Sequence, residues 1–289
     1  MNFRHLKIFI TVCEEMNMTK AAKKLYISQP SVSQAISELE DYYNTKLFER
    51  LSKKIYLTKS GKELLSYSYH VLSLSDDIER VMEKKSFYNN IVLGATITIG
   101  TYFLPKILSE IKSENHDMDI KVIVKNTSFI KENLLNSKID IGLVEGKIDH
   151  KDIIVKSFYE DELVIIANDK DVLSHKKDIS FDDLQYRNFL MREEGSGSRD
   201  LFVEEMKRHN IEYNIAGEYN NTEAIKNATL YGLGLGIVSK MSLNGSESNI
   251  NILPIKDLEL SRYFSIVYHR NKYINKSISF LMDYILNLD

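Results

Sequence analysis

The sequence is poor in the features that define several large classes of protein. Its 289 residues include one cysteine, Cys13, which cannot form an intramolecular disulfide or build a zinc site alone. No apolar run approaches the ~20 residues that cross a bilayer. The short apolar stretch Ile8–Cys13 runs straight into Glu14 and Glu15, unlike a signal peptide. We therefore expect a cytoplasmic protein without a membrane partner, with Cys13 buried in its first helix.

Motifs of catalysis and of metal or cofactor binding are also lacking. The seven histidines include no pair at i, i+4 spacing, and the segment 195–198 has the wrong spacing for a nucleophile elbow. Gly232-Leu-Gly-Leu-Gly236 enters a predicted strand, so it predicts a tight turn instead of a dinucleotide site. Asp140 and Glu145 flank one predicted strand, where solvated or capping roles are commoner than acid–base catalysis. We expect no catalytic residue, no metal and no cofactor.

Charge is distributed unevenly along the chain. The net charge is −3, but residues 1–60 contain ten basic and six acidic residues, a balance of +4, which leaves −7 on the other 229. A basic N-terminal segment on an acidic body indicates that only this segment meets a polyanion.

The basic segment is predicted to be helical. A broad apolar stripe predicts a first helix that ends near Met16, Thr19 is a good N-cap for a short helix up to Leu25, and Ser28 is one for a third helix. This third helix has an apolar stripe and an uncharged polar face made of Gln29, Ser31, Ser33, Gln34 and Ser37. Serine and glutamine suit base edges in a DNA major groove. A solvated helix face is the alternative.

A small hairpin with a basic tip is predicted next. Its halves are Leu51–Lys54 and Ile55–Thr58. Such a wing reaches the sugar-phosphate backbone or the minor groove beside a recognition helix.

Five segments in this order resemble the winged helix-turn-helix of LysR-type transcriptional regulators. They are Phe3–Phe9, Thr19–Ala22, Ser28–Ser33, Leu47–Arg50 and Leu57–Gly61. The resemblance implies sequence-specific binding of double-stranded DNA, with recognition-helix residues facing the bases and arginine and wing lysines on phosphate or in the minor groove. The predicted DNA-binding residues are Thr19, Gln29, Pro30, Ser31, Ser33, Gln34, Arg50, Lys53 and Lys54.

Residues 60–85 predict a long helix with an apolar seam. Leu64, Val71 and Ile78 repeat every seven residues, and so do Tyr67, Leu74 and Val81, offset by three. Packing against its own domain is one interpretation, and pairing with a second copy, which resembles the family's linker-helix dimer, is the favoured one. A dimer would place two recognition helices on a pseudo-palindromic operator.

The rest of the chain alternates strands and helices and predicts an α/β body. Continuous apolar strands between amphipathic helices indicate a mostly parallel sheet covered on both faces. The predicted strands are Ile91–Ala95, Ile120–Lys125, Ile139–Val144, Leu163–Ala167, Asn188–Arg192, Gly217–Asn220, Gly234–Ser239, Ile250–Pro254 and Phe264–Tyr268, and the predicted helices lie near 103–114, 128–137, 198–209, 222–231 and 275–287.

This body resembles the family's effector domain, which is built of two lobes like a periplasmic binding protein. The resemblance implies two crossings between lobes, near Asp161–Glu162 and near Tyr268–Arg270, and a C-terminal helix that returns to the first lobe. The predicted domains are a winged helix-turn-helix at 1–59, a linker helix at 60–88 and an effector-binding domain at 89–289. In the last, lobe I comprises 89–161 and 269–289, and lobe II comprises 162–268.

Three hydroxyl-rich turns follow strands of this body. They contribute Thr96 and Thr98, Thr127 and Ser128, and Ser196 and Ser198. Ligands of open α/β sheets bind beyond the carboxyl ends of strands, and hydroxyl and backbone N–H donors there suit a small anion. Helix capping is the alternative for each turn alone. The turns resemble members that sense sulfur- or nitrogen-assimilation metabolites, so candidate effectors are sulfate, thiosulfate, O-acetylserine or another small anion.

The sequence thus predicts a LysR-type regulator, a homodimer or homotetramer, whose effector shifts the arrangement of paired DNA-binding domains. RNA polymerase is an expected partner if the protein activates transcription. Two alternatives remain: a repressor whose body only oligomerises, and an enzyme with a DNA-binding domain.

Overall fold

The computed structural model describes residues 1–51, 54–82, 90–114, 118–243 and 249–288. The chain divides into two compact units. The first holds Met1–Tyr88 with Leu135–Lys138 and Asn271–Tyr273, and the second holds the remainder. Within the described ranges, no helix is both long enough and apolar enough to cross a bilayer.

The described part of the first unit consists of helices and one hairpin. Its elements are α1 (Phe3–Glu15), α2 (Met18–Leu25), α3 (Gln29–Tyr43), β1 (Phe48–Leu51), β2 (Lys54–Leu57) and α4 (Lys59–Met82). The strands β1 and β2 pair antiparallel, with Leu51 opposite Lys54, so the chain forms a hairpin here, but the predicted halves Leu51–Lys54 and Ile55–Thr58 are wrong because the first strand already begins at Phe48. Ser52 and Lys53, between the two strands, lie outside the described residues, as do residues 83–85 of the predicted long helix.

The second helix begins earlier than predicted. The side-chain oxygen of Asn17 accepts hydrogen bonds from the backbone N–H groups of Thr19 and Lys20 at 2.9 and 3.0 Å. Asn17 is therefore the N-cap, and the prediction that Thr19 caps this helix is wrong. Asparagine is at least as good an N-cap as threonine, so the earlier residue starts the helix.

The three N-terminal helices share one apolar core. Phe9, Val12, Val32 and Leu39 are fully buried, and each such side chain contributes ~1.5–3 kcal/mol by leaving water. Cys13 lies in this core as predicted, and burial raises the pKa of its thiol.

The described part of the second unit is α/β. Its strands are β3 (Asn90–Ala95), β4 (Asp119–Val124), β5 (Ile141–Glu145), β6 (Ile153–Asn168), β7 (Asn188–Arg192), β8 (Asn214–Tyr219), β9 (Leu235–Ser239), β10 (Ile250–Ile252) and β11 (Ser261–His269). Its α-helices are α5 (Leu104–Glu114), α6 (Thr127–Leu135), α7 (Gly197–Arg208), α8 (Thr222–Leu230) and α9 (Lys276–Leu286), with a π-helical turn at Ile99–Phe103 and 3₁₀ turns at Val172–His175, Phe181–Leu184 and Lys240–Ser242.

The strands form a mixed sheet in the order β4-β3-β5-β11-β6-β9-β7-β8, and β10 also pairs with β6. The pairs of β3 with β4 and β5, and of β7 with β8 and β9, are parallel, whereas β6 and β11 run antiparallel to their neighbours. The parallel groups are the βαβ part that the sequence predicted, but the expectation of a mostly parallel sheet is wrong, because β6 and β11 run antiparallel through its centre. The antiparallel strands connect the two lobes.

Strand β6 passes through both lobes and is much longer than the predicted Leu163–Ala167. Its residues 153–162 pair with β11, and its residues 163–166 pair with β9. The first half was not predicted because most of its residues are exposed and do not form an apolar run.

The second crossing lies earlier than predicted. Phe264 and Ile266 belong to the core of lobe I, whereas Leu260 belongs to the core of lobe II. The chain therefore returns to lobe I at Leu260–Ser261, and the predicted crossing near 268–270 is wrong. The apolar run of β11 belongs to lobe I because it pairs with β5 and with the first half of β6. Helix α9 packs in the same core through Ile278, Leu281 and Ile285.

Candidate functional site

Helix α3 exposes the polar face that the sequence predicted. Its apolar side, Val32, Ala35, Ile36 and Leu39, is buried, which turns the remaining side chains away from the core. The Ser28 hydroxyl caps the helix by accepting a hydrogen bond from the backbone N–H of Ser31 at 3.2 Å.

The predicted base-reading residues of α3 lie side by side. Gln29, Pro30 and Gln34 are exposed, whereas Ser31 and Ser33 are half-buried. The Gln29 amide donates a hydrogen bond to the Ser33 hydroxyl at 2.8 Å, and the Gln34 amide donates one to the Glu38 carboxylate at 2.9 Å. These amides already have partners, which they can exchange for base edges.

The other predicted DNA-binding residues lie on neighbouring elements of this unit. Thr19 is exposed in the first turn of α2, and Lys54 is exposed at the start of β2. Arg50 lies in β1 opposite Ile55, and Lys53 lies outside the described residues.

Glu40 fixes the hairpin to α3, a role that sequence reasoning missed. Its carboxylate accepts hydrogen bonds from the backbone N–H groups of Leu47 and Phe48 at 2.9 and 3.3 Å and from the Lys46 ammonium at 2.6 Å. Burial raises the pKa of this carboxyl, but the bonds to the charged form more than offset burial, so its pKa is lowered. The spacing of Glu40 and Lys46 alone gives no signal, since their contact depends on the fold of the intervening turn.

The predicted dimerisation seam on α4 is partly buried within its own unit. Leu64 packs against the core of the three N-terminal helices, whereas Tyr67, Val71, Leu74 and Ile78 are exposed. The side chain of Val81 is outside the described residues. Packing within the domain therefore accounts for Leu64 and leaves the exposed apolar positions available to a partner.

Most predicted effector residues are buried in the turns of the two lobes. Thr96, Thr98, Thr127, Ser196 and Ser198 are all buried. They lie in the turns after β3, β4 and β7 or at the start of the following helices, as expected for a site at the carboxyl ends of parallel strands.

Ser128 differs from these residues because its side chain is exposed. Its backbone N–H donates to the carbonyl oxygen of Gly195 at 3.3 Å, which joins lobe I to lobe II at the edge of the cleft. Ser128 therefore lies at the rim.

The turns approach closely where glycine is required. A β-carbon on Gly197 would lie 2.4 Å from the carbonyl oxygen of Glu145 and 3.6 Å from the Thr127 hydroxyl, and Gly195 has φ +80°. A side chain at Gly197 would separate α7 from β5, and a side chain at Gly195 would be strained. The two glycines bring the hydroxyls of lobe II next to those of lobe I.

Arg262, which the sequence analysis did not single out, occupies the centre of the cleft. Its guanidinium nitrogens lie 2.6 Å from a Glu145 carboxylate oxygen and 2.7 Å from one of Asp161. It also donates hydrogen bonds to the Ser198 hydroxyl at 2.7 Å and the Thr98 hydroxyl at 3.5 Å. Arg262 stands directly opposite Asp161 in the pairing of β11 with β6, so their side chains share one face of the sheet.

Glu145 does not have the solvated or capping role that the sequence favoured. It is buried at the end of β5, where it faces Arg262. A carboxylate in this position is held by an ionic partner instead of water. No local signal marks this pair, because Glu145 and Arg262 are distant in sequence.

Two of the buried hydroxyls in the turns of the two lobes have no internal partner among the described residues. Thr96 and Thr127 are 1% and 9% exposed, and their hydroxyl oxygens make no hydrogen bond within the described part of the chain. Buried polar atoms normally have a partner, so these two mark a place where a bound molecule can supply one.

Beside the cleft, Arg192 and Glu193 form a bidentate pair at the end of β7. The Arg192 guanidinium donates to both carboxylate oxygens, at 2.8 and 3.0 Å. Burial raises the pKa of the Glu193 carboxyl, but the Arg192 bonds more than offset burial, so its pKa is lowered. Nowhere in the described ranges do three or more histidine, cysteine or acidic side chains gather into a potential metal site.

Comparison with known proteins identifies both parts of the chain. Residues 3–62 match the model of the bacterial regulatory helix-turn-helix protein, lysR family, and residues 89–288 match that of the LysR substrate binding domain. The chain belongs to the LysR family. It is a LysR-type transcriptional regulator with an effector-binding domain, which confirms the resemblance and the function expected from it.

Individual relatives agree over nearly the full length. The HTH-type transcriptional activator CmpR of Synechocystis is 30% identical over 286 residues, which cover 98% of this chain and 94% of that protein. The structure of a full-length OxyR variant from Pseudomonas aeruginosa covers 100% of this chain and 96% of its own, with a TM-score of 0.72 and 20% identity, and shows the same fold. The regulatory domain of Synechocystis CcmR, solved in complex with 2-PG, covers 68% of this chain and 96% of its own, with a TM-score of 0.65 and 26% identity.

Proposed function

We propose that this LysR regulator binds a small effector with an anionic group between its two lobes. The observation that carries this proposal is the pair of buried hydroxyls, Thr96 and Thr127, that have no partner in the described residues. The helix N-termini that follow these strands favour negative charge. Sulfate, thiosulfate and O-acetylserine are candidate effectors, and the complex of the related CcmR with 2-PG adds 2-PG to them.

We further propose that α3 reads an operator in the major groove through Gln29 to Gln34, while Arg50, Lys53 and Lys54 hold the backbone. Pairing of two α4 helices through their exposed apolar residues would present two α3 helices to a pseudo-palindromic site. A homotetramer would form through the effector-binding domains. An effector that prefers one arrangement of the lobes would shift the population of that arrangement, and with it the spacing of the paired α3 helices or the bend of the DNA.

The protein acts by binding alone in this proposal, without catalysis, cofactor or metal. Curated relatives support it, since they are named as transcriptional regulators. RNA polymerase is a partner if the regulator activates transcription.

The test is calorimetric titration of the full-length protein with sulfate, thiosulfate, O-acetylserine and 2-PG, repeated on Thr127→Val. Because the Thr127 hydroxyl has no partner among the described residues, valine should leave stability unchanged or raised while affinity falls about tenfold, the equivalent of one lost hydrogen bond to a charged group. Thr101→Val, at an exposed position of the same lobe, is the matched control and should bind as the wild type does.

The alternative is a body that only oligomerises. If none of the four compounds binds and none alters the affinity for operator DNA, this alternative is favoured. An effector that binds Thr127→Val as tightly as the wild type would lie outside the cleft.

A further inference from the structure

We infer that the effector carries a cationic group as well as an anionic one, as an amino acid does. This inference rests on the proposed effector site between the lobes and specifies the charge of its ligand. It follows from the balance of buried charge around Arg262, where one guanidinium serves two carboxylates.

The two carboxylates are bound unequally. Asp161 accepts hydrogen bonds from the Arg262 Nε at 2.7 Å and from the Ser239 hydroxyl at 2.6 Å, so each of its oxygens has a partner. Glu145 is left with the Arg262 Nη2, at 2.6 Å, and that nitrogen also lies 2.7 Å from Asp161. Glu145 therefore shares one nitrogen with a carboxylate that is already satisfied.

The group as a whole has one uncompensated negative charge. Arg262, Glu145 and Asp161 are each at least 96% buried. Among the described residues, Arg262 is the basic residue whose side chain contacts both acids. A buried charge without a counter-charge is unfavourable. A simple anion bound here would bring a further negative charge close to Glu145, whereas an ammonium group beside Glu145 would make the cluster neutral.

The donors for an anionic group lie next to Glu145. The Thr127 hydroxyl and the main-chain carbonyl of Glu145 both lie close to Gly197. A β-carbon at Gly197 would be 3.6 Å from that hydroxyl and 2.4 Å from that carbonyl oxygen. The Thr98 hydroxyl lies 3.5 Å from Arg262. A molecule with an ammonium and a carboxylate on one carbon is short enough to meet Glu145 with one group and the threonine hydroxyls with the other.

The experiment measures two kinds of ligand on three full-length proteins: wild type, Glu145→Gln and the control Glu160→Gln. Glu160 is an exposed acid on the same strand as Asp161, so its variant removes an equal charge outside the cleft. The first ligand is sulfate. The second kind is a panel of the L-amino acids and O-acetylserine, in which each amino compound is compared with its N-acetyl derivative, which lacks the ammonium charge. Thermal shifts select the binding compounds, and calorimetry gives their affinities.

We expect the wild type to bind at least one amino acid more tightly than its N-acetyl derivative. Glu145→Gln should lower that affinity and raise the affinity for sulfate, each by about tenfold or more, because a charge a few ångströms away in a partly desolvated site acts strongly. Glu160→Gln should change neither. Should Glu145→Gln unfold, Asp161→Asn makes the same change in buried charge and should tighten sulfate binding likewise.

Equal affinity of sulfate for the wild type and for the variant that folds would overturn the inference. A second result would also overturn it: the variant binds sulfate more tightly, but the wild type binds no amino acid more tightly than its N-acetyl derivative. The Glu145 carboxylate would then only repel anions and would not bind an ammonium group. Both outcomes are compatible with the proposed effector site between the lobes. That proposal fails only if an effector binds Thr127→Val as tightly as the wild type.

Discussion

The recognition helix and the cleft between the lobes both rely on polar side chains, but they hold them in opposite states. On α3, Gln29 and Gln34 are exposed and each donates a hydrogen bond to a residue one turn further on. Around the cleft, in the turns after β3 and β4, Thr96 and Thr127 are buried, and their hydroxyls find no partner in the described ranges. An exposed amide exchanges its partners with water at little cost, whereas a buried polar atom without a partner costs ~1–3 kcal/mol.

This difference predicts which substitutions change the stability of the fold and which change only ligand or DNA binding. The polar face of α3 contributes little to the folded state, so if it is the DNA-binding face, substitutions there should change affinity for DNA and little else. The cleft also holds an ion cluster that links β5, β6 and β11, so substitutions in this cluster should change both the stability of the lobes and ligand binding.

Arg262→Met should produce the largest effect. Methionine fills much of the space of arginine but leaves Glu145 and Asp161 buried without a counter-charge. We expect the effector-binding domain to lose ~3–5 kcal/mol of unfolding free energy, measured by urea denaturation near pH 7. Arg270→Met, at an exposed position just beyond the same strand, should stay within ~0.5 kcal/mol. A loss below ~1 kcal/mol at Arg262 would show that the cluster does not depend on its guanidinium.

The contrast also explains which parts of the molecule could be predicted from sequence. The α/β body, the hairpin and the recognition helix follow from apolar periodicity and capping residues, which act locally. The first half of β6 and the position of the second crossing do not, because a strand exposed along one side has no continuous apolar run. Its pairing with β11 joins residues roughly a hundred positions apart.

The sites divide in the same way. The hydroxyls at Thr96, Thr98 and Thr127 were predicted because they follow strands in the sequence. Arg262 was missed because its partners, Glu145 and Asp161, come from two other strands. Local pattern predicts the turns around a cleft, whereas the charge inside it depends on strand order.

An exposed apolar surface offers a second comparison with the cleft. Val71 and Leu74 are 41% and 48% exposed on α4, so Val71→Asp with Leu74→Lys should hardly change the stability of the monomer. If these residues form the dimer seam, the buried charges should dissociate the dimer, which sedimentation velocity would detect. Asp76→Lys, on the opposite side of the predicted heptad, is the control and should remain dimeric. A double variant that still sediments as a dimer would mean that the seam lies elsewhere.

The smallest effect is expected at the recognition helix. Gln34→Ala removes an exposed amide whose internal partner is Glu38, so stability should change by less than ~0.5 kcal/mol. If the amide makes a bidentate contact with a base, specific binding should weaken by ~1–3 kcal/mol while binding to random DNA is unchanged. Titration of a selected operator and of random DNA at one salt concentration measures both. Lys54→Ala is the companion variant, because loss of a phosphate contact should weaken the two complexes alike. Equal losses on both DNAs for Gln34→Ala would instead assign Gln34 to the backbone and leave base reading to Gln29 and the serines.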